Sequence, residues 1–171
     1  MPSPLRLQLV ITAGHERPRV TALITASALR GPLFIIAGSE WIPSYSVARL
    51  VRQRTLEVER VMSRVRLARG FSCYQLLDLL ASAPGDGTPI LVLDCLHSFL
   101  NTDIPMPVRL RTLRACCAEL RRLSLRGPVT VLAVQAAGPE NEACCALLFA
   151  AADEVLHPVI EEPFVWQPRL L

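Results

Sequence analysis

The sequence predicts an α/β domain built in three layers, with helices on both faces of a mainly parallel central sheet of five or six strands. Short apolar segments alternate with segments of helical periodicity along the chain, and no hairpin turn joins consecutive strands. The most apolar segments, Ile90–Leu93 and Val129–Val134, have the continuous hydrophobicity of strands covered on both faces. At 171 residues the chain is long enough to bury such a core, so residues 1–171 are expected to form a single domain.

The first half of the chain is expected to supply three strands and two helices. The strands are predicted at residues 5–13, 33–37 and 61–68, and the helices at residues 19–29 and around residues 47–51. In each strand apolar residues alternate or follow one another, and the third strand alternates them with arginines. In the first helix Val20, Leu23 and Ile24 recur at helical spacing, and Gly31 followed by Pro32 ends it.

The second half is expected to continue the alternation with three strands and three helices. The strands are predicted at residues 90–93, 129–134 and 154–157, and the helices from residue 72 and at residues 108–125 and 140–151. Ser72 and Gln75 form a capping box, in which side chains satisfy the free backbone amides at the start of a helix. Leu110, Leu113 and Leu120 lie along one face of the long helix.

Composition and apolar patterning argue against a membrane protein. Apolar residues make up 51% of the chain and charged residues 19%, so either a sheet is buried on both faces or some apolar surface meets a partner. The best apolar stretch, residues 90–100, is interrupted by Asp94 and His97 and is shorter than the roughly 18 residues of a membrane span. No cleavage site follows an apolar region near the N-terminus. A cytoplasmic, soluble protein is the expectation.

The cysteines are expected to be buried rather than bound to a metal. Four of the six form the adjacent pairs Cys116-Cys117 and Cys144-Cys145. Paired zinc ligands in structural sites are usually separated by two to four residues, so that both sulfurs reach one ion. We therefore expect small buried hydrophobic side chains in a reducing compartment.

The segment between the first strand and the first helix resembles a phosphate-binding loop, whose pattern is Gly, four residues, Gly-Lys and then Ser or Thr. Gly14 stands at the first position and Thr21 at the last, but Arg19 replaces the second glycine and Val20 replaces the lysine. Pro18 removes an amide donor, and all 18 basic residues are arginine, so no lysine elsewhere substitutes. The sequence predicts a degenerate loop that binds phosphate poorly.

Further candidate site residues are those that directly follow the central strands. Ligands of open parallel sheets bind beyond the carboxyl ends of the strands. Asp94 directly follows residues 90–93, and Gln135 directly follows residues 129–134. Gly38, Ser39 and Glu40 follow the second strand. Asp94 is interpreted either as a cap of a buried strand or as an acid that holds magnesium.

These stretches together resemble the RecA and eukaryotic/archaeal recombinase superfamily over residues 5–159. The resemblance includes the degenerate loop, residues 65–71 ahead of the capped helix, and the strand ends at 91–94 and 132–135. It implies a RecA-like P-loop ATPase core in which Asp94 is the Walker B acid and Gln135 senses nucleotide and couples it to a DNA-binding loop. The catalytic glutamate of the family lies just past the second strand, where alignment puts Gly38 and a small shift puts Glu40.

Departures from the family decide the functional expectation. The family carries a long DNA-binding loop after the glutamine, whereas here residues 136–139 lead almost at once into a helix, and the chain ends soon after the sixth strand. We expect a noncatalytic paralogue without a cofactor. It would act as an accessory or scaffold in homologous recombination or DNA repair, with a catalytically intact relative or a second copy as partner.

Two other functions stay open at this point. One is a DNA-dependent ATPase with a divergent loop, in which Arg19 binds phosphate, Asp94 holds magnesium and Glu40 orients water, so that ATP and magnesium would be its cofactors. The other is a regulatory interaction unrelated to DNA, which fold alone does not exclude.

Arginines form two groups that are candidates for nucleic-acid contact. On the long helix Arg111, Arg114 and Arg122 face away from the apolar side. The earlier group comprises Arg49, Arg52, Arg54 and Arg60. Glutamates dilute both groups, and the few aromatic residues are expected mostly in strands, so no stacking platform accompanies the arginines. Contact with DNA is expected to be weak or indirect.

Overall fold

The computed structural model describes residues 7–12, 16–135 and 137–157, which form alternating strands and helices. The strands are β1 (Leu7–Thr12), β2 (Leu33–Ala37), β3 (Val65–Arg69), β4 (Ile90–Leu93), β5 (Val129–Val134) and β6 (Glu154–Leu156). The helices are α1 (Arg17–Arg30), α2 (Ser44–Arg52), α3 (Val58–Ser63), α4 (Cys73–Ser82), α5 (Met106–Ser124) and α6 (Pro139–Ala151). A short 3₁₀ helix, Cys95–Phe99, follows β4.

The strands form one parallel sheet of six strands in the order β3-β2-β4-β5-β1-β6. β5 lies between β1 and β4, with Val131 opposite both Leu9 and Val92. This order differs from that of the dinucleotide-binding α/β folds, in which β1 is followed directly by β4 or β3. Because all the strands are parallel, their carboxyl ends meet at a single edge of the sheet. The predicted α/β architecture with a parallel sheet is confirmed.

Helices cover both faces of the sheet, and each face has its own apolar cluster. On one face α1, α2 and α3 pack over Leu91, Leu93 and Leu132. On the other face α4, α5 and α6 pack over Ile90 and Val92. Successive side chains of a strand point to opposite faces, which is why all four residues of β4 are buried. The result is the predicted arrangement of three layers.

Two sequence predictions at the third strand and at Val134 need correction. The strand predicted at 61–68 begins only at Val65, because Val58, Val61 and Met62 recur at helical spacing and pack against the α1–α2 side of the sheet. The period-two pattern of the arginine-rich stretch hid this short helix.

Val134 belongs to an interior strand, but its side chain lies at the strand's carboxyl end and is 37% exposed.

The capping box and the cysteines are placed as their residue types predict. Ser72 is the N-cap of α4, and its Oγ accepts a hydrogen bond from the Gln75 amide at 3.2 Å. All six cysteines are free thiols in buried positions. Among the helices of the described ranges, none is both long and apolar enough to cross a membrane.

Candidate functional site at the carboxyl edge of the sheet

The centre of this edge lies where β2 and β4 end side by side. The Gly38 amide donates to the carbonyl oxygen of Leu93 at 2.8 Å, which continues the β2–β4 pairing one residue beyond β2. Here the crossovers diverge, since the chain leaving β2 passes to the α1–α3 face and the chain leaving β4 to the α4–α6 face. Such a switch point opens a crevice in parallel sheets. A cavity of about 410 Å³ lies in it, lined by Arg17, Gly38, Ser39, Glu40, Trp41, Phe71, Asp94 and His97.

Asp94 occupies the position that the sequence predicted and has an unusual backbone conformation. Its φ and ψ are 49° and 45°, in the left-handed region that aspartate tolerates better than most residues. Its carboxylate Oδ2 accepts a hydrogen bond from Ser39 Oγ at 2.5 Å. Its carbonyl oxygen accepts from the His97 amide at 3.0 Å. Asp94 therefore joins the end of β2 to the 3₁₀ helix after β4, a structural role that needs no metal.

Gly38 packs so closely on Asp94 that the position has no room for a side chain. A Cβ atom built on Gly38 would lie 2.6 Å from the Asp94 carbonyl oxygen and 3.1 Å from Ser98 Oγ. The Ser98 hydroxyl also donates to the Gly38 carbonyl at 3.0 Å, which holds the contact in place. The place to which the resemblance assigns a catalytic glutamate is thus closed to any residue larger than glycine. Glu40, two residues on, is exposed and lines the same cavity as Asp94.

The N-terminus of α1 offers little to a phosphate. Glu16 is its N-cap and is buried, and Arg19 Nη1 donates to Glu16 Oε1 at 3.3 Å. The amides of Arg19 and Val20 donate to the Glu16 carbonyl at 2.9 and 3.2 Å, and Pro18 has no amide hydrogen. A helix N-terminus attracts anions through free amides and its dipole. The Glu16 carboxylate makes no capping hydrogen bond to these amides and instead pairs with Arg19.

Among the described residues of the predicted loop, Arg19, Val20 and Thr21 do not line the cavity. Val20 is buried in the apolar cluster beneath α1. The Thr21 hydroxyl donates to the carbonyl oxygen of Arg17 at 2.8 Å, inside the helix. Arg19 is engaged with Glu16, and Gly14 lies outside the described residues. Of Arg17 and Arg19, the two arginines of this segment that the sequence offers to an anion, Arg17 is the one that lines the cavity with Asp94.

The side chains at this edge do not fit a magnesium ion bound together with a triphosphate. The Thr21 hydroxyl that would complete the ligand set is bonded within α1, and the Asp94 carboxylate already accepts the Ser39 hydroxyl. No group of three or more His, Cys, Asp or Glu side chains suited to a metal occurs in the described part of the chain. We therefore derive no metal-dependent step.

Gln135 lies at the same edge as Asp94 but not in the same cavity. It directly follows β5, which pairs with β4, and it is exposed. The connection from β5 to α6 consists of residues 135–138, as short as the sequence predicted. A smaller cavity of about 190 Å³ lies between the two strand ends and is lined by Asp94, Leu96, His97, Leu100, Val134 and Asn141. The structure brings Glu40 and Asp94 together and leaves Gln135 apart.

The arginines of α5 are less uniform than their spacing predicts. Arg111 and Arg114 are exposed, as expected. Arg122 donates to Glu119 at 2.6 Å and to the carbonyl oxygens of Leu80 and Ala81 at the end of α4. It therefore stabilises the α4–α5 contact, and its charge is partly neutralised. Arg109, which sequence reasoning did not single out, is buried and bridges Phe99 and Glu140.

The expectation that aromatic side chains lie mostly in strands is wrong for the described residues. Trp41 precedes α2, Tyr45 lies on α2, and Phe71 follows β3. The Arg17 guanidinium stacks 5.2 Å from the Trp41 ring centroid, and that of Arg69 lies 5.7 Å from Phe71. Aromatic and basic side chains are therefore interleaved along this part of the sheet edge. The sequence could have predicted this arrangement, because these aromatic residues come after β2 and β3, both of which end at this edge.

Comparison with known proteins identifies no family for this chain. No protein-family model matches it, and no curated protein matches its sequence.

Proposed function

We propose that this chain is a noncatalytic RecA-like paralogue that acts as an accessory or scaffold protein in homologous recombination or DNA repair. The proposal is supported by a parallel three-layer core with an acid, Asp94, after β4 and a glutamine, Gln135, after β5. The observation that carries the noncatalytic part is the contact of Gly38 with the Asp94 backbone, which leaves no room for a side chain at the position to which the resemblance assigns the catalytic glutamate. At the start of α1, Pro18 supplies no amide hydrogen and the Arg19 guanidinium is paired with Glu16, so few groups remain to hold a phosphate.

A scaffold needs a docking surface, and the outer edge strand β3 is our candidate for it. Backbone hydrogen bonds join β3 to β2 at both ends: the Leu33 amide donates to the Arg64 carbonyl oxygen, and the Gly70 amide donates to the Ala37 carbonyl oxygen. In a parallel pair the hydrogen-bonded residues alternate, so Val65, Leu67 and Arg69 direct their backbone groups away from β2. Within the described ranges no strand pairs with this side of β3, and an unpaired edge of this kind accepts an additional strand. A recombinase relative or a second copy of this chain would pair there.

Side chains beside this edge support the same proposal. Leu67 is 45% exposed, Phe71 67% and Tyr74 49%, which places three large apolar side chains on or just after β3. Leu67 and Arg69 lie on one face of β3 and Arg66 on the other, because successive side chains of a strand alternate. The guanidinium groups of Arg66 and Arg69 lie over the rings of Phe34 and Phe71. Exposed apolar side chains beside stacked arginines are typical of the residues that carry binding energy at protein interfaces.

Nucleotide titration with and without magnesium, followed by co-purification, tests the proposed function. We expect no saturable binding of ATP and no turnover above a buffer control. We expect the purified protein to retain a recombinase relative that has an intact phosphate loop. Retention of partners unrelated to DNA metabolism would instead support a regulatory role outside recombination.

A second function, a divergent DNA-dependent ATPase, is favoured by one observation. Glu40 and Asp94 line the same cavity of about 410 Å³, so two carboxylates are available near each other to orient an attacking water molecule. In this alternative Arg17 is better placed than Arg19 to meet phosphate, because Arg17 lines the cavity and Arg19 is paired with Glu16. DNA-stimulated hydrolysis that is lost in Glu40→Gln would establish it.

A further inference from the structure

A groove between α1 and α2 lies next to the cavity at the strand ends and is larger. Its volume is about 660 Å³, within the range of 300–1,000 Å³ typical of ligand sites. Arg17 and Ala22 of α1 form one wall, Tyr45 and Arg49 of α2 form the other, and Trp41 and Ile42 lie between them. We call it the α1–α2 groove. Arg17 and Trp41 also line the cavity beside Asp94, so the two spaces are adjacent.

The α1–α2 groove is basic, whereas the neighbouring cavity is acidic. Its described lining contains Arg17 and Arg49 but neither Asp nor Glu. Tyr45, Arg49 and Arg52 follow one another at i, i+4 and i+7, so they form a single stripe on the exposed side of α2, opposite the buried Val47 and Val51. Arg52 therefore extends the row of positive charge by one turn beyond the groove. An anionic ligand meets only cations here.

Aromatic side chains supply the second element of recognition. Tyr45 is 77% exposed, so one or both faces of its ring are open to a planar ligand. Trp41 has a different role, because its ring already carries the Arg17 guanidinium at 5.2 Å. Stacking on the indole restrains Arg17, which lines the groove, before any ligand binds, and this lowers the entropic cost of binding.

We infer that the α1–α2 groove binds single-stranded nucleic acid, with a base stacked on Tyr45 and phosphates held by Arg17, Arg49 and Arg52. Aromatic faces interleaved with cations along an open groove are the common basis of single-strand binding without sequence preference. The stripe from Tyr45 to Arg52 spans about 10 Å of helix axis. One stacked nucleotide occupies about 3.4 Å along a nucleic-acid strand. The stripe is therefore about as long as three stacked nucleotides, which suits a single-stranded nucleic acid better than one free nucleotide.

This site is distinct from the arginines predicted on α5. α1 and α2 cover one face of the sheet and α5 covers the other, so the two surfaces lie on opposite sides of the molecule. The inference rests on the groove alone and goes beyond the proposed scaffold role. It requires neither a nucleotide at the cavity beside Asp94 nor a partner at β3.

Fluorescence anisotropy with a labelled thymidine oligomer of about 15 nucleotides tests the inference. We expect binding at low salt that weakens as salt rises. Tyr45→Ala should weaken binding about tenfold, and Tyr45→Phe should restore it to within about twofold, because the ring supplies the stacking. Arg49→Ala should lower the slope of log affinity against log salt by about 0.7, the value for one phosphate contact on a single strand.

Matched variants on the opposite face provide the controls. Tyr74→Ala removes an exposed tyrosine of α4, and Arg114→Ala removes an exposed arginine of α5. Neither should change the affinity or the salt slope. If Arg114→Ala lost affinity for the oligomer while Tyr45→Ala and Arg49→Ala kept it, the inference would be overturned and α5 would be the binding surface. Absence of binding at low salt would also overturn the inference. So would displacement of the oligomer by free nucleotide at an equal concentration of bases.

Quenching of Trp41 fluorescence gives a readout that a change in stability alone does not produce. Trp166 is the other tryptophan of the chain, so the experiment uses the Trp166→Phe protein. The oligomer should quench Trp41 in that protein and should quench it less after Tyr45→Ala. Quenching that is unchanged by Tyr45→Ala would contradict the assignment of the stacking site.

Discussion

A Cβ atom on Gly38 would lie 2.6 Å from the carbonyl oxygen of Asp94, closer than real Cβ contacts come. Gly38 ends the pairing of β2 with β4, and Asp94 follows β4, so the contact joins two strand ends that are far apart in the chain. It keeps the centre of the candidate site filled with backbone rather than with side chains.

Gly38→Ala is expected to destabilise the protein by about 1–3 kcal/mol, because the added methyl group forces the ends of β2 and β4 apart. Urea unfolding measures the change. Gly31→Ala is the matched control, since a Cβ there meets no atom within 4 Å. Equal stability of the two variants would show that the contact at Gly38 relaxes without cost.

Leu93→Ala is expected to lower the free energy of unfolding by about 2–5 kcal/mol, because buried apolar surface is lost and a cavity is left. Leu93 is 1% exposed in the middle of the sheet, whereas Leu125, just after α5, is 77% exposed. Leu125→Ala should therefore change the free energy of unfolding by less than about 0.5 kcal/mol. A small effect of Leu93→Ala in the same urea titration would argue against its place in the core.

Asp94→Ala is expected to leave ATP turnover at the level of the buffer control, as in the unchanged protein. The reason is that the phosphate side of the site is missing, with Val20 buried and the Thr21 hydroxyl bonded within α1. Phosphate release measured with and without single-stranded DNA checks this. Steady hydrolysis that Asp94→Ala abolishes would establish the enzyme alternative.

Alkylation of the thiols is expected to be slow in the native protein at pH 8 and complete after unfolding in urea. Burial raises the pKa of Cys116 to about 12 and that of Cys117 to about 11, from an ordinary value of 9.0. The thiolate, which is the reactive form, is therefore scarce in the folded state. Counting modified cysteines by mass spectrometry gives the result, and rapid native labelling of the Cys116-Cys117 pair would contradict it.

The same pKa shifts predict that stability falls as the pH rises above about 9. The folded state holds these protons more tightly than the unfolded state, so the contribution is fully present below pH 9 and is lost as pH rises toward 11 and 12. The chain has no lysine to titrate in this window. Urea unfolding from pH 8 to 11 should show the decline, and Cys116→Ala should reduce it.

Leu67→Asp is expected to prevent association through β3 without unfolding the protein, because Leu67 is 45% exposed. We expect light scattering to show dimers or larger species for the unchanged protein, or poor solubility that co-expression with a recombinase relative relieves. The variant should be monomeric and should not retain that relative. Leu56→Asp, at a fully exposed loop position, is the control. A monomeric unchanged protein that retains no partner would rule out β3 as the docking edge.

Local sequence patterns were sufficient for most of the fold. β2, β4 and β5 begin and end where their apolar runs do, because a strand buried on both faces must be apolar throughout. Ser72 placed the start of α4 through its side-chain oxygen. The end of α3, residues 61–63, was included in the strand predicted at 61–68 because apolar residues alternate with arginines along that stretch, which satisfies a period of two.

The sequence by itself also determined which residues stand at the carboxyl ends of the strands, Asp94 and Gln135 among them, since that depends only on where each apolar run stops. Tertiary structure alone decided which of these residues meet. The strand order places β2 beside β4, which brings Gly38 onto Asp94 and Glu40 into the same cavity. The packing of α1 on α2 likewise places Arg17 over Trp41 and opens the groove beside Tyr45. Periodicity reports which face of an element is buried, but the contacts between elements depend on strand order and backbone distance, and these arise only when the whole sheet forms.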